Sequence, residues 1–187
     1  SAVWSLHVLG TGSASALELG ASGAVLERDG NPVLLIDCGP GTLENYLRCY
    51  GALPPAVFIT HAHMDHVAGL ERLFYTAWFD ATRCGSVKLF MHANLVPILQ
   101  GRVADYPNAV AEGGANFWEG FRLVPSSRGF WLDGWWFDVF ATRHHAPGTS
   151  FGVVLRGCIA WTGDTRPIPE VLSGFADEHT LIAHDCG

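Results

Sequence analysis

An α/β domain is the fold class this sequence predicts, and three observations predict it. The chain has 187 residues, 49% of them hydrophobic and 16% charged, which suits one domain with a sizeable core, residues 1–187, at roughly 100–200 residues per domain. Short apolar runs alternate with segments whose apolar positions recur at helical spacing. Twenty-two Gly and ten Pro are spread along the chain rather than bunched, which fits a turn-rich globule better than a helix bundle.

Each element follows from its residues. Trp4 to Leu9 reads as a first strand, closed by the turn Gly10-Thr11-Gly12-Ser13-Ala14. Gly23 to Glu27 and Val33 to Ile36 flank Arg28-Asp29-Gly30-Asn31-Pro32, where Asp-Gly signals a hairpin ending at Asp37-Cys38-Gly39. Leu43, Tyr46, Leu47 and Tyr50 form one helical stripe. Ala56 to Thr60 is a short buried strand, and Leu70, Leu73, Phe74, Ala77 and Trp78 return to helical spacing. Val87 to Met91 reads as a strand leading into a helix from about Asn94. From Phe117 to Phe140 the residues Gly120, Gly129 and Gly134 mark off short strands, clearest over Trp135 to Ala141. Phe151 to Leu155 and Ile159 to Thr162 make a second hairpin, turning at Arg156-Gly157 and ending in Gly163-Asp164. It echoes the first weakly, as two amphipathic hairpins can by chance, or as two similar β-rich halves facing each other would.

Composition excludes several functions. Eleven basic residues, with Lys88 the one lysine, against a net charge of −7 cannot build a broad phosphate-neutralising face, so a nucleic-acid partner is disfavoured, though a local Arg contact stays open. No apolar run approaches the ~18 residues of a membrane span, and no basic segment precedes an apolar one at the N-terminus. The expectation is a soluble, cytoplasmic chain with no membrane partner. Cys38, Cys49, Cys84, Cys158 and Cys186 contain no CxxC pair, so buried reduced thiols are expected rather than a disulfide framework or a thiolate zinc site.

Nine histidines stand out against this sparse charge. Thr60-His61-Ala62-His63-Met64-Asp65-His66 places three imidazoles and a carboxylate in one loop directly after a buried strand, where ligands are usually presented. In extended backbone His61 and His63 point the same way and can reach one metal ion, while Asp65 and His66, at the turn into the next helix, can face a second. Nitrogen and oxygen donors without sulfur suit Zn²⁺, or Mn²⁺ and Fe²⁺ where carboxylates share the work.

With this HxHxDH stretch the chain resembles the metallo-β-lactamase fold superfamily, almost end to end. Leu9-Gly10-Thr11-Gly12-Ser13, Leu35-Ile36-Asp37-Cys38-Gly39 and Gly69-Leu70 are similar to its ribonuclease Z-like phosphodiesterase branch. The resemblance implies a four-layer αββα sandwich with two metals, most simply zinc, on the edge between the sheets. It implies that His61, His63 and a later His hold the first metal, and that Asp65, His66 and a final His hold the second. The later His falls in Arg143-His144-His145-Ala146-Pro147-Gly148. His145 is favoured by its distance to Phe151-Gly152, and His144 remains the alternative. Asp164, in Thr162-Gly163-Asp164-Thr165, matches the bridging carboxylate, and Asp37 matches a structural residue that steadies the histidine loop. Leu181-Ile182-Ala183-His184-Asp185-Cys186 resembles the branch's strand-plus-His-Glu-Ala-Thr motif, whose His faces the substrate rather than a metal. Asp185 stands where that motif has Glu. The final His ligand is expected beyond Gly187, since His7, His92 and His179 do not fit the pattern. The fold is therefore expected with its C-terminal end cut short.

The function implied is a dinuclear metal-dependent hydrolase, a phosphodiesterase with Asp65 orienting the attacking water and His184 protonating the leaving group. With one lysine and no basic arm, a small phosphodiester of cyclic-nucleotide or sugar-phosphate type is favoured as substrate. Trp78, Trp118, Trp131, Trp135 and Trp136 are candidates to stack a base or ring, although more of them should be core or rim. A lactonase or thioesterase on the same centre is the enzymatic alternative, and a catalytically silent binding module is the non-enzymatic one. Besides the small-molecule substrate, a second copy of the chain is a candidate partner.

Overall fold

A computed structural model describes residues 2–9, 23–63, 67–80, 82–100, 117–143, 146–155, 159–161 and 181–183. The first sheet has the strand order β1 (Trp4–Val8), β2 (Ala24–Arg28), β3 (Asn31–Ile36), β4 (Ala56–Ile59), β5 (Val87–His92) and β6 (Phe121–Ser126). Strands β1 to β3 pair antiparallel, whereas β3 to β6 run parallel. The second sheet has the order β11 (Leu181–Ala183), β10 (Ile159–Trp161), β9 (Phe151–Leu155), β8 (Trp135–Ala141) and β7 (Gly129–Leu132). It is antiparallel except where β10 meets β11.

Local chemistry explains the turns. The β2–β3 hairpin turns at Asp29 and Gly30, with φ of 51° and 81°, the paired left-handed geometry that matches the twist of the strands it joins. The two similar hairpins sit one in each sheet. Strands of a parallel sheet are buried on both faces and read as unbroken apolar runs, and all four residues of β4 are buried. Pro125 lies in β6, the edge strand, where a missing N–H costs least.

The core between the sheets is an aromatic stack. Phe130 of β7 packs against Phe90, Phe58 and Phe137 at 4.1, 5.9 and 5.2 Å between ring centroids. Phe58 and Phe90 belong to the first sheet, so one side chain joins three strands. Trp4 meets Trp135 edge-on at 5.3 Å, and the Arg28 guanidinium lies 5.5 Å from the Trp135 ring.

Four short helices complete the described residues: α1 (Thr42–Tyr50), α2 (Leu70–Trp78), α3 (Leu95–Leu99) and α4 (Phe117–Gly120). The stripes predicted for α1 and α2 are the ones buried, through Leu43 and Tyr46 and through Leu70, Leu73, Phe74 and Ala77. Tyr50 donates a hydrogen bond to Glu27 of β2 at 2.7 Å, and Phe74 packs on Phe121 of β6, so both helices cover the first sheet. One expectation fails: residues 117–120 form a helical turn rather than a strand. Its Gly120 backs onto the Phe74 ring, where even a Cβ would come within 2.5 Å. Close packing on α2 thus overrides the strand preference of aromatic residues. None of the described helices is long and apolar enough to cross a membrane.

Candidate metal centre

The four parallel strands end level with one another in a polar row. Asp37 follows β3, Thr60 and His61 follow β4, His92 ends β5 and Ser126 ends β6. Carboxyl ends of parallel strands are where open α/β sheets bind ligands.

His61 is the best defined member of the row. It is buried, at 3% exposure, with Thr60 beside it at 2%. The Thr60 hydroxyl donates to Asp37 Oδ2 at 2.6 Å, and the Thr60 N–H donates to Asp37 Oδ1 at 2.8 Å. A hydroxyl has a single proton, and the acceptor-only carboxylate takes it. The Thr60 oxygen, 2.9 Å from His61 Nδ1, therefore accepts from Nδ1–H. The resulting tautomer places the ring's lone pair on Nε2, which is how a carboxylate behind a histidine usually prepares it for a metal. Asp37 has φ of 64°, a left-handed conformation that Asp tolerates better than most residues. Its N–H donates to Phe58 O at 2.8 Å.

His63 stands beside His61, with ring centroids 4.8 Å apart and planes at 78°. Two imidazoles this close, one with its tautomer set by Thr60, make a nitrogen donor pair suited to a borderline divalent cation such as zinc. Among the described residues no third His, Cys, Asp or Glu joins them. The other expected ligands, Asp65, His66, His145 and Asp164, lie outside the described residues, as do His144, His179, His184, Asp185, Cys158, Cys186, the Gly10–Ala14 turn and the Arg156-Gly157 turn.

The base of the second histidine loop is nevertheless placed. Ser150 bridges His61 across the gap between the sheets, and Phe151 N–H donates to Thr60 O at 2.8 Å. Thr142 and Ser150 close the loop on themselves. Thr142 N–H donates to Ser150 O at 2.9 Å, Thr142 Oγ1 to Ser150 Oγ at 2.8 Å, and Ser150 Oγ to Thr142 O at 3.2 Å. The segment from Arg143 to Thr149 thus starts and ends beside His61.

After the histidine cluster the chain passes Gly69, whose N–H donates to Cys38 O at 2.8 Å. A Cβ there would come within 2.6 Å of Gly39 O and 2.9 Å of Cys38 O. Only glycine lets the start of α2 approach the Asp37-Cys38-Gly39 turn this closely. Burial pushes the Cys38 thiol up to about 12, with Asp37 and Glu44 adding to the rise. Cys38 is thus a packing group rather than a nucleophile, while Cys49 and Cys84 are exposed free thiols.

Four of the tryptophans suggested as stacking platforms, Trp78, Trp131, Trp135 and Trp136, stand elsewhere. Trp135 and Trp136 open β8, whose far end reaches Thr142; at ~3.3 Å per residue that is roughly 20 Å from the histidines. Trp131 pairs with Trp136 at that remote end and is 66% exposed. Trp78 ends α2, about 12 Å beyond its site-facing start at 1.5 Å per residue, and packs on Phe74. The Trp118 side chain lies outside what is described.

Comparison with known proteins adds kinship to this geometry. The family model described as anti-Pycsar protein Apyc1 matches residues 4–187. The anti-Pycsar protein Apyc1 of Paenibacillus harenae is 30% identical over 97% of this chain and 76% of its own length. A ribonuclease Z of Mycobacterium marinum is 40% identical over 39% of this chain and 27% of its own length. Among solved structures, the metallo-β-lactamase fold protein YhfI of Bacillus subtilis superposes with a TM-score of 0.66 at 16% identity, covering 92% of this chain and 67% of that one.

Proposed function

Since the chain belongs to the anti-Pycsar Apyc1 family and has the metallo-β-lactamase fold, we propose that it is a metal-dependent phosphodiesterase acting on a small phosphodiester of cyclic-nucleotide or sugar-phosphate type. The observation that carries the reading is the Asp37–Thr60–His61 relay, which prepares Nε2 of a buried imidazole at the carboxyl end of β4. A buried, oriented imidazole such as His61 is costly to keep unless it holds a cation. Small size is supported by the single lysine and the net charge of −7, a poor match for a polynucleotide.

His61, His63 and His145 would hold one divalent ion, and Asp65 and His66 the second, with Asp164 between them. Bound there, the cations supply Lewis acidity, lowering the pKa of a water and polarising the phosphoryl oxygen. The chain's own residues do the rest. Thr60 and Asp37 keep His61 in one tautomer and one orientation. Asp65 orients the attacking water, and His184 gives a proton to the departing ester oxygen. The Thr142–Ser150 closure fixes, beside His61, the two ends of the segment whose sequence includes His145.

A substrate panel tests the reading. Bis-aryl phosphate, a 3′,5′-cyclic nucleotide, a homoserine lactone, a thioester and a cephalosporin are assayed beside elemental analysis of the protein. Turnover of the phosphodiesters with bound divalent metal is expected. Turnover confined to the lactone, thioester or cephalosporin would refute it, and an inert, metal-free protein would point to a binding module instead.

A further inference from the structure

His92 lies outside the histidine motif, yet the structure brings it to the same edge. The parallel register pairs Ile59 with Met91, so His92 stands level with Thr60 on the neighbouring strand, one spacing of roughly 4.8 Å away. Its ring lies flat on Phe151, centroids 4.0 Å apart and planes within 3°. Phe151 is itself tied to Thr60 through its N–H. The ring cannot rotate freely, because its Nδ1 accepts a hydrogen bond from the Asn94 N–H at 3.0 Å. The Asn94 side chain in turn donates to Gly148 O at 3.4 Å, in the loop that returns to Ser150. His92 is thus clasped between the two sheets, half-buried, with its opposite ring edge carrying Nε2.

The tautomer follows from these contacts. An Nδ1 that accepts must hold its lone pair, so the neutral ring carries its proton on Nε2. Burial holds the imidazole below its ordinary 6.5, which keeps it neutral at physiological pH. Among the described residues nothing accepts from Nε2. A rigid, oriented N–H donor beside a metal edge, with no structural use for its proton, is what a binding site needs for discrimination.

We propose that His92 is a substrate-binding residue whose Nε2–H donates a hydrogen bond to an acceptor oxygen on the organic part of the phosphodiester, away from the phosphorus. The contact rests on the phosphodiesterase reading above. It assigns the β5 end, rather than the distant tryptophans, to recognition of the sugar or base. The phosphoryl group belongs at His61 and His63; a group one strand over meets what the phosphate carries.

Two variants test it. His92→Phe keeps a ring on Phe151 and removes the donor; His92→Gln restores an N–H without the ring. With a 3′,5′-cyclic nucleotide, His92→Phe should raise KM about tenfold, the worth of one well-placed hydrogen bond, with kcat little changed and bound metal equal to wild type. His92→Gln should recover part of the loss. With bis-aryl phosphate, which offers few acceptors beyond the phosphate, the loss should be several-fold smaller. An unaltered KM for the cyclic nucleotide, equal losses on both esters, or loss of metal in His92→Phe would overturn the assignment and leave the phosphodiesterase reading standing. A wild-type protein inert toward both esters would overturn that reading, and the contact with it.

Discussion

Thr60→Val is the most informative perturbation of the candidate metal centre. Valine has nearly the shape of threonine, so the buried cavity stays filled and only the hydroxyl goes. That hydroxyl makes two hydrogen bonds, at 2.6 Å to Asp37 and 2.9 Å to His61. The first is to a carboxylate, worth about 1.5–3 kcal/mol, and the second is between ordinary groups, worth about 0.5–1.5 kcal/mol. The expected loss of folding stability is therefore about 2–4.5 kcal/mol, read as a lower urea midpoint with an unchanged slope. The second readout is metal affinity. Without Thr60, the tautomer of His61 is no longer set, and loss of such a supporting contact typically weakens metal binding about 10–100-fold. Competition with a chromophoric chelator measures this directly. Thr60→Ser keeps the hydroxyl and should bind metal close to wild type. If Thr60→Val bound metal as tightly as wild type, or Thr60→Ser were as weak as Thr60→Val, the relay would have no part in holding the ion.

Other perturbations probe the rest of the molecule. Gly69→Ala drives a methyl into the carbonyls of Cys38 and Gly39; it should cost about 1–3 kcal/mol and show as a lower Tm and reduced metal content, and a wild-type Tm would refute the close approach. Phe130→Ala removes the ring shared by Phe58, Phe90 and Phe137 and should lower stability by about 3–5 kcal/mol in chemical denaturation. In the native protein at pH 8, iodoacetamide should label Cys49 and Cys84 and spare Cys38, as read by peptide mass mapping. Because folding raises the Cys38 pKa, its contribution to stability is intact below the ordinary thiol value of 9.0 and is lost as pH climbs toward about 12. His184→Ala should depress turnover by about 10²–10⁴-fold while bound metal stays at the wild-type level; loss of metal would make His184 a ligand.

The sheet strands were readable because their information is local. The apolar run of β4 and the Asp29-Gly30 turn announce themselves within a few residues. The histidine cluster is equally local, and its position after a buried strand is enough to mark an edge of the sheet. The support behind His61 is of another kind. Asp37 and Thr60 are 23 residues apart, and no spacing rule says that one will take the other's proton. The same holds for His92, a strand-end residue without a task in the sequence, because Phe151, on which it stacks, and Gly148, which holds its partner Asn94, come from the far side of the chain. Stacking candidates chosen by residue type alone failed on distance, since a long β8 carries Trp135 and Trp136 away from the edge that Thr142 reaches. The helical turn over residues 117–120 escaped for a related reason, because its cause is the Phe74 ring on another element.

The polar row at the ends of β3 to β6 has an evolutionary consequence. In β3, β4 and β5 the last two side chains before that row are buried and apolar, Leu35 and Ile36, Phe58 and Ile59, Phe90 and Met91, and the polar group comes one step past them. Exchange of a residue such as His92 would change that edge at the cost of one ring contact, with Phe151, and leave the apolar interior between the layers in place. A lineage can vary the rim while its interior stays still, and the same scaffold can be retuned far faster than it could be rebuilt.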